Sequence, residues 1–304
     1  MITCLPARQA QPLPKKSHPI NFLYLLNYLT PYNSSNSPMK VNTLLFFLSF
    51  TFLFIFSASA QDQAFEQYTV RNFSFQGHAA KVVFPNQASE NGYWVWRARF
   101  WGHEPQLDKA LLEKGFHVVY VDVADLYGNE EAVKIWDAFY AYCRTEFKLN
   151  EKVVLEGMSR GGLIIYNWAA KNTDKVFTIY ADAPVCDIKS WPGGLYTGKG
   201  SPADWEKCLK AYGLDATTVL DFKGIPIYNS IAIAKAGIPV IHVYGEADDV
   251  VPASENTDLL AAEFRKAGGT IKLIGKPGVG HHPHSLEDPT PILDFILERI
   301  ANSK

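Results

Sequence analysis

Cysteine is scarce, with 4 in 304 residues, and no CxxC pair or zinc-spaced cluster occurs. That excludes a zinc finger and a small disulfide-stapled scaffold. Neither sign of charge is in excess: 29 Lys and Arg face 31 Asp and Glu, for a net charge of −2. Nothing here suggests the clustered basic face that a nucleic-acid partner needs. Long hydrophobic runs are missing too. The apolar stretch Leu44–Phe56 falls short of the about 20 residues that cross a bilayer. What is present is ordinary globular composition, 47% hydrophobic and 20% charged. Aromatics are plentiful at 13%, and all 7 Trp lie beyond residue 90.

Residues 1–60 read as lying outside the fold. Residues 1–38 are rich in Pro, Asn and Ser around a short apolar patch, Asn21–Leu29. Met39-Lys40, the apolar run and Ala58-Ser59-Ala60 give a charged start, an apolar core and a small-residue cleavage site. That is the layout of a secretory signal peptide (39–60) behind an upstream extension. The expectation is a mature protein from about Gln61, secreted or periplasmic and free of the membrane; the rival reading is an uncleaved anchor. Residues 61–304 are long enough for a single domain. Its cysteines are Cys143, Cys186 and Cys208, so at least one stays unpaired. Cys186 and Cys208 flank an insertion, and whether they pair stays open.

From there, strand-like and helix-like segments alternate. Strands are expected over 65–75, 81–84, 117–123, 152–155, 176–181, 239–244 and 270–274. Helices are expected over 106–114, 130–147, 162–171, 255–267 and 291–301. His117–Val123 reads HVVYVDV, a β-branched run of the kind buried on both faces of a parallel sheet. Helical spacing puts Val133, Trp136, Phe139 and Tyr140 on one side of 130–147. The fold class is therefore α/β, a doubly wound, mostly parallel sheet with helices on both faces. Residues 187–229, rich in Gly, Pro, Trp and Lys, break the rhythm. They exceed an ordinary connection and read as a small cap insertion over the end of the sheet.

One motif carries chemistry. Val153-Val154-Leu155 leads into Gly157-Met158-Ser159-Arg160-Gly161-Gly162 and then a helix. This is G-x-S-x-G in its structural context of strand, sharp turn and helix. The turn strains the serine backbone, and small residues two before and two after relieve the crowding. Ser159 then stands at the carboxyl end of the sheet and at a helix N-terminus, where negative charge is favoured. The backbone N–H of Arg160 is the expected oxyanion donor. The plainer reading is a glycine-rich turn whose serine caps the helix.

A serine nucleophile needs a base, and the base needs an orienting acid. Both appear downstream, each after an expected strand: Gly245-Glu246-Ala247-Asp248-Asp249-Val250-Val251-Pro252 and Gly278-Val279-Gly280-His281-His282-Pro283-His284. With these motifs, residues 65–304 resemble the α/β-hydrolase superfamily. The G-x-x-D-x-x-V-P run resembles that family's acid loop and implies Asp248 as the acid. The G-x-G-H run resembles its histidine loop and implies His281 as the base. Asp249 and Asp182 are rival acids, and His282 and His284 crowd His281. A histidine-rich loop also suggests a metal, but no matching carboxylate or cysteine spacing supports one, and no cofactor is called for. The second oxyanion donor should come from the loop 85–101 after strand 81–84. That loop lacks the family's HG or HGGG sequence, which leaves the donor unassigned.

The same loop, reading YWVWRARFW over 93–101, borders the expected site. Trp96 and, in the insertion, Trp191 are candidate stacking platforms for a sugar or acyl group, and Arg97 a candidate carboxylate clamp. Packing of these side chains onto the sheet is the simpler alternative. The chain is similar to carbohydrate esterases, so the expected substrate is a small-molecule or polysaccharide acetyl or methyl ester. The alternatives are a serine peptidase, which the expected lack of a preceding propeller domain disfavours, and a non-catalytic glycan-binding module.

Overall fold

In the computed structural model, residues 63–302 are described; the expected extension and signal peptide lie outside them. Eight strands form one sheet: β1 (Thr69–Phe75), β2 (His78–Phe84), β3 (Trp94–Ala98), β4 (His117–Val121), β5 (Val153–Met158), β6 (Val176–Asp182), β7 (Val240–Gly245) and β8 (Ile271–Lys276). Their spatial order is β1-β2-β4-β3-β5-β6-β7-β8. β1 and β2 form an antiparallel pair, β2 runs antiparallel to β4, and every other pairing is parallel. Strands β3, β4 and β5 are buried along their whole length and are mainly apolar, without an in–out alternation; Arg97 of β3 and Glu156 of β5 are the buried charges among them.

Helices cover both faces: α1 (Gln106–Glu113), α2 (Glu130–Glu146), α3 (Gly161–Lys171), α4 (Pro202–Tyr212), α5 (Pro226–Lys235), α6 (Thr257–Lys266) and α7 (Thr290–Ala301). Val133 and Phe139 of α2, Leu163 of α3, Ile233 of α5 and Phe264 of α6 fill one apolar layer. Leu107 and Leu111 of α1 and Ile292 and Phe295 of α7 fill the other. No described helix is long and apolar enough to cross a membrane. Cys143, Cys186 and Cys208 are buried free thiols, so Cys186 is not joined to Cys208.

Two expectations need correction. The expected loop 85–101 contains a central strand, β3, between β4 and β5. Trp96 and Arg97 lie on that strand, each 0% exposed, and reach no substrate. Trp96 stacks on Trp136, with ring centroids 3.9 Å apart. Arg97 donates to Asp108, to Glu156 at 3.0 Å and to the backbone carbonyls of Phe100 and His103. Burial opposes its charge, but the two carboxylates outweigh burial and raise its pKa. Burial and the neighbouring Asp108 push the Glu156 carboxyl well above its usual range. The guanidinium is thus a fixed internal counterion. The insertion is also shorter than 187–229, because residues from Pro226 onward form α5, a regular helix packed between α3 and α6.

Candidate active site

The turn between β5 and α3 places Ser159 in the left-handed region, at φ +48°. A non-glycine residue is rarely held there, and such strain marks a position fixed by its surroundings. Its N–H bonds the Asp182 carbonyl at 2.8 Å, and its carbonyl accepts from Val185 at 2.9 Å and Gly162 at 2.9 Å. The glycines on either side are required by space. A Cβ on Gly157 would stand 2.9 Å from the Gly161 carbonyl oxygen, and one on Gly161 2.5 Å from that of Ala98.

The loop after β7 carries Asp248, and the loop after β8 carries His281. Both strands are parallel to β5 in the sheet, so these loops emerge at the edge where Ser159 stands. The structure brings the three together. His281 Nδ1 lies 2.7 Å from Asp248 Oδ2, and Nε2 lies 3.0 Å from Ser159 Oγ. A carboxylate only accepts, so Nδ1 carries the proton and Nε2 presents its lone pair to the hydroxyl. Asp248 Oδ1 accepts from the backbone N–H groups of Val250 at 2.9 Å and Val251 at 2.8 Å. Burial works to raise the Asp248 carboxyl, but the bonds from His281 and these amides prevail and hold it below its ordinary range.

The rivals lie elsewhere. Asp249 is exposed and pairs with Lys199 Nζ at 2.6 Å. Asp182 is fully buried at the end of β6 and takes His284 Nδ1 at 2.7 Å, the Ser285 N–H at 2.8 Å and the Tyr180 hydroxyl at 2.9 Å. His282 is exposed. Its ring packs edge-on to His281 and His284, 5.0 and 4.8 Å between centroids.

Arg160 follows the serine. It pairs with Asp204 of α4 at 3.3 Å and lies over the rings of Tyr127 and Trp191, 5.4 and 5.8 Å from their centroids. Trp191 is half-buried, so of the three expected substrate-binding residues it alone remains beside the elbow. Its segment is tied down by Glu255, whose carboxylate accepts from Ser190 Oγ at 2.6 Å, Thr197 N–H at 2.7 Å and Gly198 N–H at 3.1 Å. Burial would raise Glu255, and these hydrogen bonds pull it below its usual range.

One part of the site was placed by the sequence reading only as somewhere in loop 85–101, and another escaped it. Ala98 is level with Gly157 in the β3–β5 register, so the turn Arg99–Phe100 is level with Met158–Ser159. Both turn residues have positive φ, 67° and 49°. His103 is the other, with its ring 5.9 Å from His284 and 6.0 Å from His282. With 93–101 read as one irregular loop, neither had a strand end to locate it.

Comparison with curated protein sequences finds no match. Among solved structures, Pyrococcus horikoshii acylaminoacyl peptidase is similar with a TM-score of 0.54 at 14% identity, covering 70% of this chain and 38% of that one. Porphyromonas gingivalis dipeptidyl peptidase 4 is similar with a TM-score of 0.57 at 14% identity, covering 76% of this chain and 35% of that one. Est1E from Butyrivibrio proteoclasticus gives 0.52 at 20% identity, covering 76% of this chain and 99% of that one. These likenesses are of fold, and the chain spans well under half the length of either peptidase. A profile of the prolyl oligopeptidase family matches residues 120–302, more than half of the chain and the stretch that holds Ser159, Asp248 and His281. The chain is a serine hydrolase of the α/β-hydrolase type and belongs to the prolyl oligopeptidase family.

Proposed function

We propose that this protein is an exported hydrolase that cleaves esters through a Ser159–His281–Asp248 triad, acting on acetyl or methyl esters of a polysaccharide. The observation that carries the triad is the unbroken hydrogen-bond chain from Asp248 through His281 to Ser159 Oγ. His281 Nε2 takes the hydroxyl proton as Oγ attacks the ester carbonyl, and Asp248 holds the tautomer and offsets the imidazolium charge. The backbone N–H of Arg160 and one from the Arg99–Phe100 turn bind the oxyanion. His281 returns the proton to the leaving alcohol. It then draws a proton from water as the water oxygen attacks the acyl carbon, and passes that proton to Ser159 Oγ as the acyl–Oγ bond breaks and the acid leaves. No step calls for a cofactor. Trp191, half-buried beside Arg160, is the aromatic platform for a sugar ring.

A second reading is peptide-bond hydrolysis by the same triad, which family membership favours. Purified protein assayed on p-nitrophenyl acetate, acetylated and methyl-esterified polysaccharides, and acyl-peptide and dipeptide p-nitroanilides separates the two. Acetate or methanol released from a glycan supports the ester reading. Turnover confined to the anilides replaces it with the peptidase reading.

A further inference from the structure

The loop after β8 holds a group that ester hydrolysis does not use. The His284 side chain is 1% exposed, and its Nδ1 bonds Asp182 Oδ1 at 2.7 Å. A carboxylate partner fixes the proton on Nδ1 and leaves a lone pair on Nε2. That Nε2 is buried and has no hydrogen-bond partner among the described residues. An enclosed acceptor without a donor costs about 1–3 kcal/mol. Around the His284 ring stand those of His281, His282 and His103, 4.9, 4.8 and 5.9 Å between centroids. One ring nitrogen from each of His281, His282 and His284 falls within 4.8 Å of the others.

We propose that His282 and His284, with His281 as third ligand, form a site for a divalent transition ion of the zinc class, and that its occupancy switches the hydrolase off. Three imidazole nitrogens suit zinc, copper or nickel and not the oxygen-seeking magnesium or calcium. Asp182 behind His284 supplies the carboxylate that orients a metal-bound imidazole and raises its basicity. Zinc holds nitrogen at about 2.0–2.1 Å, so the three donors must draw in to about 3.4 Å of one another. His282 is exposed, so it is the ligand whose rotamer would have to change. His281 is the competing partner. Its Nε2 lone pair is the one that faces Ser159 Oγ, and a nitrogen bound to the ion cannot accept the serine proton. The inhibitory half of the proposal rests on the triad reading; the binding half does not.

The test uses the full-length protein, freed of any affinity histidines and stripped with chelator. Zinc chloride is titrated by calorimetry, while fluorophosphonate labelling of Ser159 reports the activated serine. The expected result is one zinc per chain, with labelling falling in step and recovering with EDTA. His282→Gln, a surface change, and His284→Gln each weaken zinc binding at least about tenfold. Ser159→Ala binds zinc no less tightly. Zinc binding unchanged in His282→Gln overturns the site. Zinc bound with labelling undiminished overturns the inhibitory role. If the metal-free protein does not label at all, the triad and the switch both fall, and the calorimetry still decides the site.

Discussion

Two histidines of one loop, three residues apart, each pair with an aspartate from another element, and they differ in what the second ring nitrogen meets. In both, Nδ1 lies 2.7 Å from a carboxylate oxygen. His281 turns Nε2 to a hydroxyl held on a strained elbow; His284 turns Nε2 into a buried space without a donor. Asp248 sits on a loop and accepts from two local amides, whereas Asp182 ends a central strand and also ties Tyr180 and Ser285. A carboxylate–imidazole pair is thus a general device for fixing a tautomer. Ser159 is what makes one copy of it a candidate for catalysis.

The comparison breaks most sharply at the serine. Ser159→Ala is expected to lower kcat by about 10⁴–10⁶ while leaving the melting temperature near that of the parent, since the two pairs remain. Residual turnover close to the parent's would remove the proposed triad. Next come the two aspartates, exchanged one at a time. Asp248→Asn should cost about 10⁴ in kcat, because the amide no longer enforces the productive tautomer. Asp182→Asn should instead cost about 1.5–3 kcal/mol of stability, from hydrogen bonds to a buried charge, with kcat reduced less than about tenfold. Denaturant melts beside steady-state rates on both variants read this out; equal kinetic losses would erase the distinction between the pairs.

A third histidine sharpens it further. His242 is fully buried with hydroxyl partners only, Tyr166 at 2.5 Å and Thr257 at 3.1 Å. Burial drives its pKa down to about 3. Between about 6.5 and 3 the unfolded chain takes up this proton and the folded one does not. Stability from this residue is therefore whole above pH 6.5 and falls by about 1.4 kcal/mol per unit below it. His242→Gln should flatten that acid slope in unfolding experiments from pH 7 to 4, and an unchanged slope would mean the ring is protonated in the fold.

Much of this architecture could be read from the chain because burial on both faces leaves a plain mark. The runs expected as strands over 117–123 and 152–155 correspond to β4 (His117–Val121) and β5 (Val153–Met158). The elbow was legible because its glycines answer to local crowding, whereas Asp248 and His281 were implied by the resemblance of their loops to those of the α/β-hydrolase superfamily. β3 was not, since WVWRA carries an arginine and two tryptophans that look exposed until their partners are known. Arg97 becomes a core residue only through Asp108 and Glu156, which lie 11 and 59 positions away. Pairing over that distance leaves no local signal. The His284–Asp182 bond, 102 positions apart, was hidden for the same reason.

Arg97 has an evolutionary consequence. It grips the carbonyls of Phe100 and His103 from inside the core, with a charge that no physiological pH removes. The turn beside the nucleophile is therefore held by the sheet itself, and a change there must also accommodate a buried charge. Room exists in the stretch 187–225, where Leu195, Tyr196 and Leu220 stand 45%, 48% and 59% exposed. Related hydrolases should diverge there first, and their substrates should track that stretch while the floor of the site stays the same.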